Sequence, residues 1–147
     1  MADYSTLTSR PVIVVGHSNC GGAQACLGAV RRASPNPVAD PTLGPDDPLN
    51  RWLAPLIERV QGLSISSVSD DEALQLIVED NVRGQVENIV KTDVVKGAWA
   101  SGRKLWVHGF VYDLATGLLK DLGVSQGPGI DAETPLPPPF VVSGETK

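Results

Sequence analysis

The sequence predicts an α/β fold: a small, mostly parallel β-sheet flanked by helices, with one antiparallel edge strand. Three observations carry this expectation. Pro11 to Gly16 is a short β-branched run stopped by glycine, Lys104 to Tyr112 reads as a second clear strand, and the residues between them repeat their apolar positions at three and four.

The 147 residues suit one domain over 11–125, with a short polar leader over 1–10 and a proline-rich extended tail over 126–147. The first βα unit is a strand over 12–15 followed by an Ala-rich helix over 22–32. The stretch SPNPVADPTLGPDDP holds five prolines among fifteen residues and reads as a surface loop. A helix then starts at Pro48 with Asp47 as N-cap, and Leu49, Trp52, Leu53, Leu56, Ile57 and Val60 form its packed face. Ser69 to Glu72 has the form of a capping box, so a long helix follows, with Ala73, Leu74, Ile77, Val78, Val82, Val86, Ile89 and Val90 as its stripe. Thr92 caps a short helix ending at Gly102. After the second strand, Asp113 to Gly117 is a turn into LLKDLGVS, the antiparallel edge strand. Trp52, Trp99 and Trp106 lie on apolar faces and are expected as core or interface anchors.

Composition excludes several function classes. Seventeen acidic against twelve basic residues give a net charge of -5, without a basic cluster, which argues against nucleic-acid binding. No apolar segment approaches the roughly 20 residues that cross a bilayer, and residues 1–10 lack a signal peptide's apolar centre. A cytoplasmic protein with no membrane association is expected.

Chemistry concentrates where the first strand ends. His17 and Cys20 stand at the strand's carboxyl end, where open α/β sheets place ligands. An imidazole and a thiolate separated by two residues suit one zinc ion, yet a catalytic zinc takes three protein ligands and an open position. Cys26 is expected as a packed helix residue and His108 as a satisfied strand residue, so neither is an attractive third donor. Backbone N–H groups at Gly21 and Gly22, where the helix starts, suit an anion.

Val14-Val15-Gly16-His17-Ser18-Asn19-Cys20-Gly21-Gly22 resembles the second metal-binding segment of the β-class carbonic anhydrases. Leu105 to Tyr112, followed by Asp113 and Thr116-Gly117, resembles that family's late strand and turn, and Gln85 to Asn88 with Val94 to Ala98 matches its long-helix region. The resemblance runs from about residue 11 to 124. It implies zinc-dependent reversible hydration of carbon dioxide to bicarbonate, with His17 and Cys20 matching the His ligand and the second Cys ligand, and Gly21 and Gly22 matching the adjoining turn.

One part of the family pattern has no counterpart. The first Cys ligand and an Asp-Arg pair belong to a Cys-x-Asp-Ser-Arg segment on an earlier strand, and this chain has no match to it, so no catalytic residue is assigned. The chain therefore reads as a truncated β-carbonic anhydrase, its carboxyl-terminal two thirds, with weak zinc binding and near-background hydration when alone. The alternative is a non-catalytic subunit that forms a homo-oligomer or joins a complete paralogue. A hydrolase is the remaining alternative, because Gly16-His17-Ser18-Asn19-Cys20 approximates a G-x-S-x-G elbow with Asp93 and His108 following in order, although Cys20 stands where that elbow wants glycine.

Overall fold

The computed structural model describes residues 11–32 and 34–129. The expected leader and all but the first residues of the expected tail lie outside them. Seven elements follow in order: β1 (Val12–His17), α1 (Gly21–Arg31), α2 (Pro48–Gln61), α3 (Asp70–Val90), α4 (Asp93–Ala100), β2 (Val107–Tyr112) and β3 (Leu119–Asp121). The sheet order is β1-β2-β3, with β1 parallel to β2 and β3 antiparallel at the edge, as the sequence predicts.

Local chemistry sets the helix starts. The Asp47 carboxylate accepts from Leu49 N at 2.9 Å with Pro48 in the first turn, Ser69 Oγ accepts from Glu72 N at 3.3 Å, and Thr92 Oγ1 accepts from Val95 N at 3.4 Å. Each cap satisfies an amide that lacks a helical acceptor, and Asp70, Asp71 and Glu72 place negative charge at the positive end of α3. The chain leaves α4 through Gly102, whose φ of 78° glycine adopts without a Cβ clash.

Helix α3 is the central support. Its buried Ile77, Val78 and Val82 join Cys26, Ala29, Leu53, Ile57 and Val60 in one core, while Val86 and Val90 join Val95 and Val107 in a second. Close approach depends on missing side chains: a Cβ at Gly16 would lie 2.7 Å from Val82 Cγ2, and one at Gly109 would lie 3.0 Å from Val82 Cγ1. Two glycines thus let one valine seat α3 against β1 and β2.

Several expected bounds and roles move. β1 continues to His17, so the histidine is the last residue of the strand rather than a residue of the turn. β2 begins at Val107 rather than 104, because Leu105 O is taken by Trp99 Nε1 at 2.8 Å. Leu53, Ile57 and Val60 face the core from α2, whereas Trp52 is 73% exposed and Leu49 is 40% exposed. Trp52 is therefore no core anchor: successive helical residues turn by about 100°, which carries it to the flank of the stripe. Gln126, expected to begin the tail, exchanges two 2.8 Å backbone hydrogen bonds with Val107.

Sheet side chains alternate between faces. Val12, Val14 and Gly16 face α3, while Ile13 and Val15 on the opposite face are 53% and 51% exposed. Among the described residues β1 pairs only with β2, so its other edge is open.

Candidate functional site

The turn between β1 and α1 is built by backbone geometry. Asn19 adopts φ 55°, a left-handed conformation that asparagine tolerates better than most residues, and this reverses the chain between His17 and Cys20. Cys20 is the N-cap of α1, with its carbonyl accepting from Gln24 N at 2.9 Å. The N–H groups of Gly21, Gly22 and Ala23 precede that first helical bond and have no acceptor within the helix.

His17 is exposed, and its Nδ1 lies 2.9 Å from Ser18 O. A carbonyl only accepts, so Nδ1 carries the proton, and in the neutral ring Nε2 presents its lone pair. A backbone acceptor on one nitrogen orients the other for metal binding. Cys20 is half-buried, and its Sγ would lie in ordinary contact, 3.9 Å, with a Cβ placed at Gly22.

His17 and Cys20 line one cleft of about 590 Å³, walled by Trp52 and Leu53 of α2 and by Asn81, Gln85 and Asn88 of α3. No residue of β2 or β3 lines it, so it borders the open edge of β1. The three amides form a row on α3 in which Gln85 Nε2 donates to Asn81 Oδ1 at 3.2 Å and Asn88 Nδ2 donates to Gln85 Oε1 at 3.4 Å. Polar amides three and four positions apart, beside an apolar stripe, were the readable signal for this wall.

The donor chemistry suits zinc and the donor number does not. Among the described residues no group of three His, Cys, Asp or Glu is placed to hold a metal ion. Cys26 is fully buried on α1, with its thiol pushed up to about 11, first by burial and then by the neighbouring Cys20. His108 shares a 2.7 Å hydrogen bond with Ser125 Oγ, stacks on Trp106, and pairs in register with Ile13, at the far end of β1 from the turn. Both are structural, as the sequence reading expects.

The hydrolase alternative fails on geometry. Ser18 Oγ accepts from Leu114 N at 2.9 Å, His108 is bonded to Ser125, and Asp93 opens α4. No hydrogen bond joins the three among the described residues.

A second cleft of about 420 Å³ lies on the other side of the same turn, lined by Ser18, Asn19, Glu79, Asp113 and Lys120. Lys120 Nζ donates to Glu79 Oε1 at 2.6 Å. Burial raises the Glu79 carboxyl, but its bonds from Lys120 and Gln75 and the charges of Lys120 and Arg83 outweigh that and hold it below the usual range. This pair joins α3 to β3 across 41 residues, and no local pattern announces it.

Comparison with known proteins agrees with this architecture. The carbonic anhydrase family model matches residues 4–119. A carbonic anhydrase of Emericella nidulans is 35% identical over 130 residues, covering 86% of this chain and 50% of the relative. The Coccomyxa β-carbonic anhydrase, solved in complex with acetazolamide, superposes with a TM-score of 0.66 at 31% identity, covering 85% of this chain and 52% of that one. A β-carbonic anhydrase of Aspergillus fumigatus gives 0.61 at 28%, covering 79% and 50%. The chain spans about half the length of each of these relatives.

Proposed function

Because this chain belongs to the β-class carbonic anhydrase family, we propose that it contributes the His17 and Cys20 portion of a zinc site for reversible hydration of carbon dioxide to bicarbonate. The supporting observation is the state of His17: its Nδ1 is bonded to Ser18 O, which leaves Nε2 as the ring nitrogen for a metal, and His17 and Cys20 line one cleft. A zinc ion bound there would lower the pKa of its water toward neutrality. The residues of this chain hold the donors, and the half-exposed Val15 with Trp52 and Leu53 gives carbon dioxide an apolar wall. Gly21 and Gly22, at the start of α1, offer amides to bicarbonate.

Two donors leave the constellation short of the three protein ligands of a catalytic zinc. A donor from outside the described residues, in a longer form or a partner, completes it. Both cysteines are free, which suits a reducing compartment, and cytoplasm is the location we assign; cell fractionation checks it. No helix among the described residues is long and apolar enough to cross a membrane.

Metal analysis after dialysis and a stopped-flow hydration assay test the proposal. The expected result for the chain alone is zinc well below one per chain, hydration near background, and loss of the residual zinc in His17→Ala and Cys20→Ser. Zinc content indifferent to both substitutions would refute the assignment. A second reading, a non-catalytic subunit associating with itself or with a complete paralogue, is favoured by the half-exposed Ile13 and Val15 beside an open strand edge. A zinc-independent monomer at micromolar concentration in size-exclusion chromatography would count against it.

A further inference from the structure

The loop between α1 and α2 carries a motif that carbon dioxide chemistry does not use. Ser34 stands directly before Pro35, and Arg31 and Arg32 stand three and two positions before it. Ser34 and Asn36 each precede a proline, a position that disfavours helical backbone and favours an extended one. Residues 34–38 accordingly belong to no helix or strand, and Ser34 and Pro35 are both exposed. Among the described residues the Ser34 hydroxyl makes one bond, from Asn36 N at 3.4 Å, which is long and lies within the loop itself. An exposed hydroxyl on such a loop is within reach of the cleft of a protein kinase.

We propose that Ser34 is the phosphorylation site of a proline-directed serine kinase and that Arg32 receives the phosphate. In the transfer, Ser34 Oγ attacks the γ-phosphorus of ATP and forms the new O–P bond. The bond from that phosphorus to the β–γ bridging oxygen breaks, ADP leaves with the electron pair, and the hydroxyl proton passes to the catalytic aspartate of the kinase.

A kinase that reads arginines would also find a pair here, but the fold occupies both. Arg31 donates to Ser66 O at 3.2 Å and to Val68 O at 3.0 Å, and it pairs with Asp70 at 3.3 Å. Arg32 Nη2 donates to Val38 O at 2.7 Å and to Ala39 O at 3.3 Å. Pro35 is therefore the determinant that an enzyme can read without first breaking these contacts.

The two arginines differ in what they hold. Arg31 has a carboxylate, whereas Arg32 has neutral carbonyls, and a phosphate dianion is the stronger acceptor. Arg32 is also the C-cap of α1, so a phosphate two residues on lies near the negative end of the helix and is opposed there unless a cation meets it. Transfer of Arg32 to the phosphate releases Val38 O and Ala39 O. The loop is then loosened up to Asp40, whose backbone remains held by the Asn50 side chain.

Incubation of the folded full chain with MgATP and a proline-directed kinase, followed by peptide mass spectrometry, tests the site. Thr134-Pro135 is the other Ser/Thr-Pro pair in the sequence, so Thr134→Ala is the background. The expected result is one phosphate per chain, on Ser34 and lost in Ser34→Ala. An arginine-reading kinase should modify a peptide spanning Gly28–Pro41 about tenfold faster than the folded chain, which must first open its arginine contacts. No incorporation into the folded chain by the proline-directed kinase would overturn the site, and equal rates on peptide and chain with the arginine-reading kinase would overturn Pro35 as the determinant. Phosphorus-31 NMR of the modified chain tests the receiver. The second phosphate pKa should lie below its ordinary value of about 6 and return to it in Arg32→Gln. Equal values in the two chains would overturn Arg32 as the receiver.

Discussion

Ser18 Oγ accepts a hydrogen bond from the Leu114 amide at 2.9 Å, fastening the His17–Cys20 turn to the β2–β3 turn. Ser18 N also donates to Tyr112 O at 2.9 Å, so one residue continues the β1 ladder and holds the loop beyond β2. Ser18→Ala removes the acceptor and should lower stability by about 1 kcal/mol in urea unfolding, a typical net value for one hydrogen bond. Ser18→Thr, which keeps the hydroxyl, should recover most of it. Equal losses in both variants would mean that the bond contributes nothing.

Gly16 and Val82 test the seating of α3. Gly16→Ala puts a methyl 2.7 Å from Val82 Cγ2, closer than packed atoms allow, and overpacking of this kind costs about 1–3 kcal/mol. Val82→Ala in the same chain should relieve the clash, giving a double variant less destabilised than the sum of the singles. Strict additivity in chemical denaturation would show that the helix moves away freely.

The two thiols should react differently. Cys26 is 0% exposed with a raised thiol pKa, whereas Cys20 lines an open cleft. A disulfide reagent added to the native, metal-free chain should modify one thiol per chain quickly, and the second only in denaturant. Rapid modification of both would contradict the packing of α1 against α2.

Stability should respond to pH through His108. Burial lowers its pKa below the ordinary 6.5, and Asp121 offsets part of that. The unfolded chain then binds a proton at a pH where the folded chain does not, so stability falls as pH drops below about 6.5. Thermal unfolding between pH 8 and about 5 should show this slope, and His108→Gln should flatten it. A slope unchanged by that substitution would assign the effect to another group.

Glu79 acts at lower pH with the opposite chemistry. Its carboxyl is held below the usual 4.5 despite burial, so the stability it contributes is present above that value and is lost as pH falls through the folded-state pKa. Lys120→Met should weaken resistance to acid and leave His108's window in place. High salt should reproduce a smaller part of the loss, because Lys120 is about half exposed.

Much of this was legible because it is local. Asp47, Ser69 and Thr92 each announced a helix start through a side chain reaching an amide two or three residues on, and β1 was announced by its β-branched run. His17 and Cys20 were legible for the same reason, since three positions bring them to one turn. What stayed hidden depends on distant pairing. Ser18 with Leu114, Glu79 with Lys120, and the seating of Val82 between Gly16 and Gly109 leave no periodic trace. Trp52 misled because its spacing fits an apolar stripe, and only the neighbouring elements decide which edge of such a stripe is covered.

The parallel pairing of Val12 with Val107 carries a consequence for biosynthesis. Closing so long a segment costs on the order of 4 kcal/mol of chain entropy before any strand contact forms. On a ribosome β1 emerges before β2 and waits for it, uncharged and apolar, while the helices between them are translated. The stretch bearing His17 therefore gains its only strand neighbour among the described residues after α1 to α4 have been made, and until then its apolar side chains have no sheet to join.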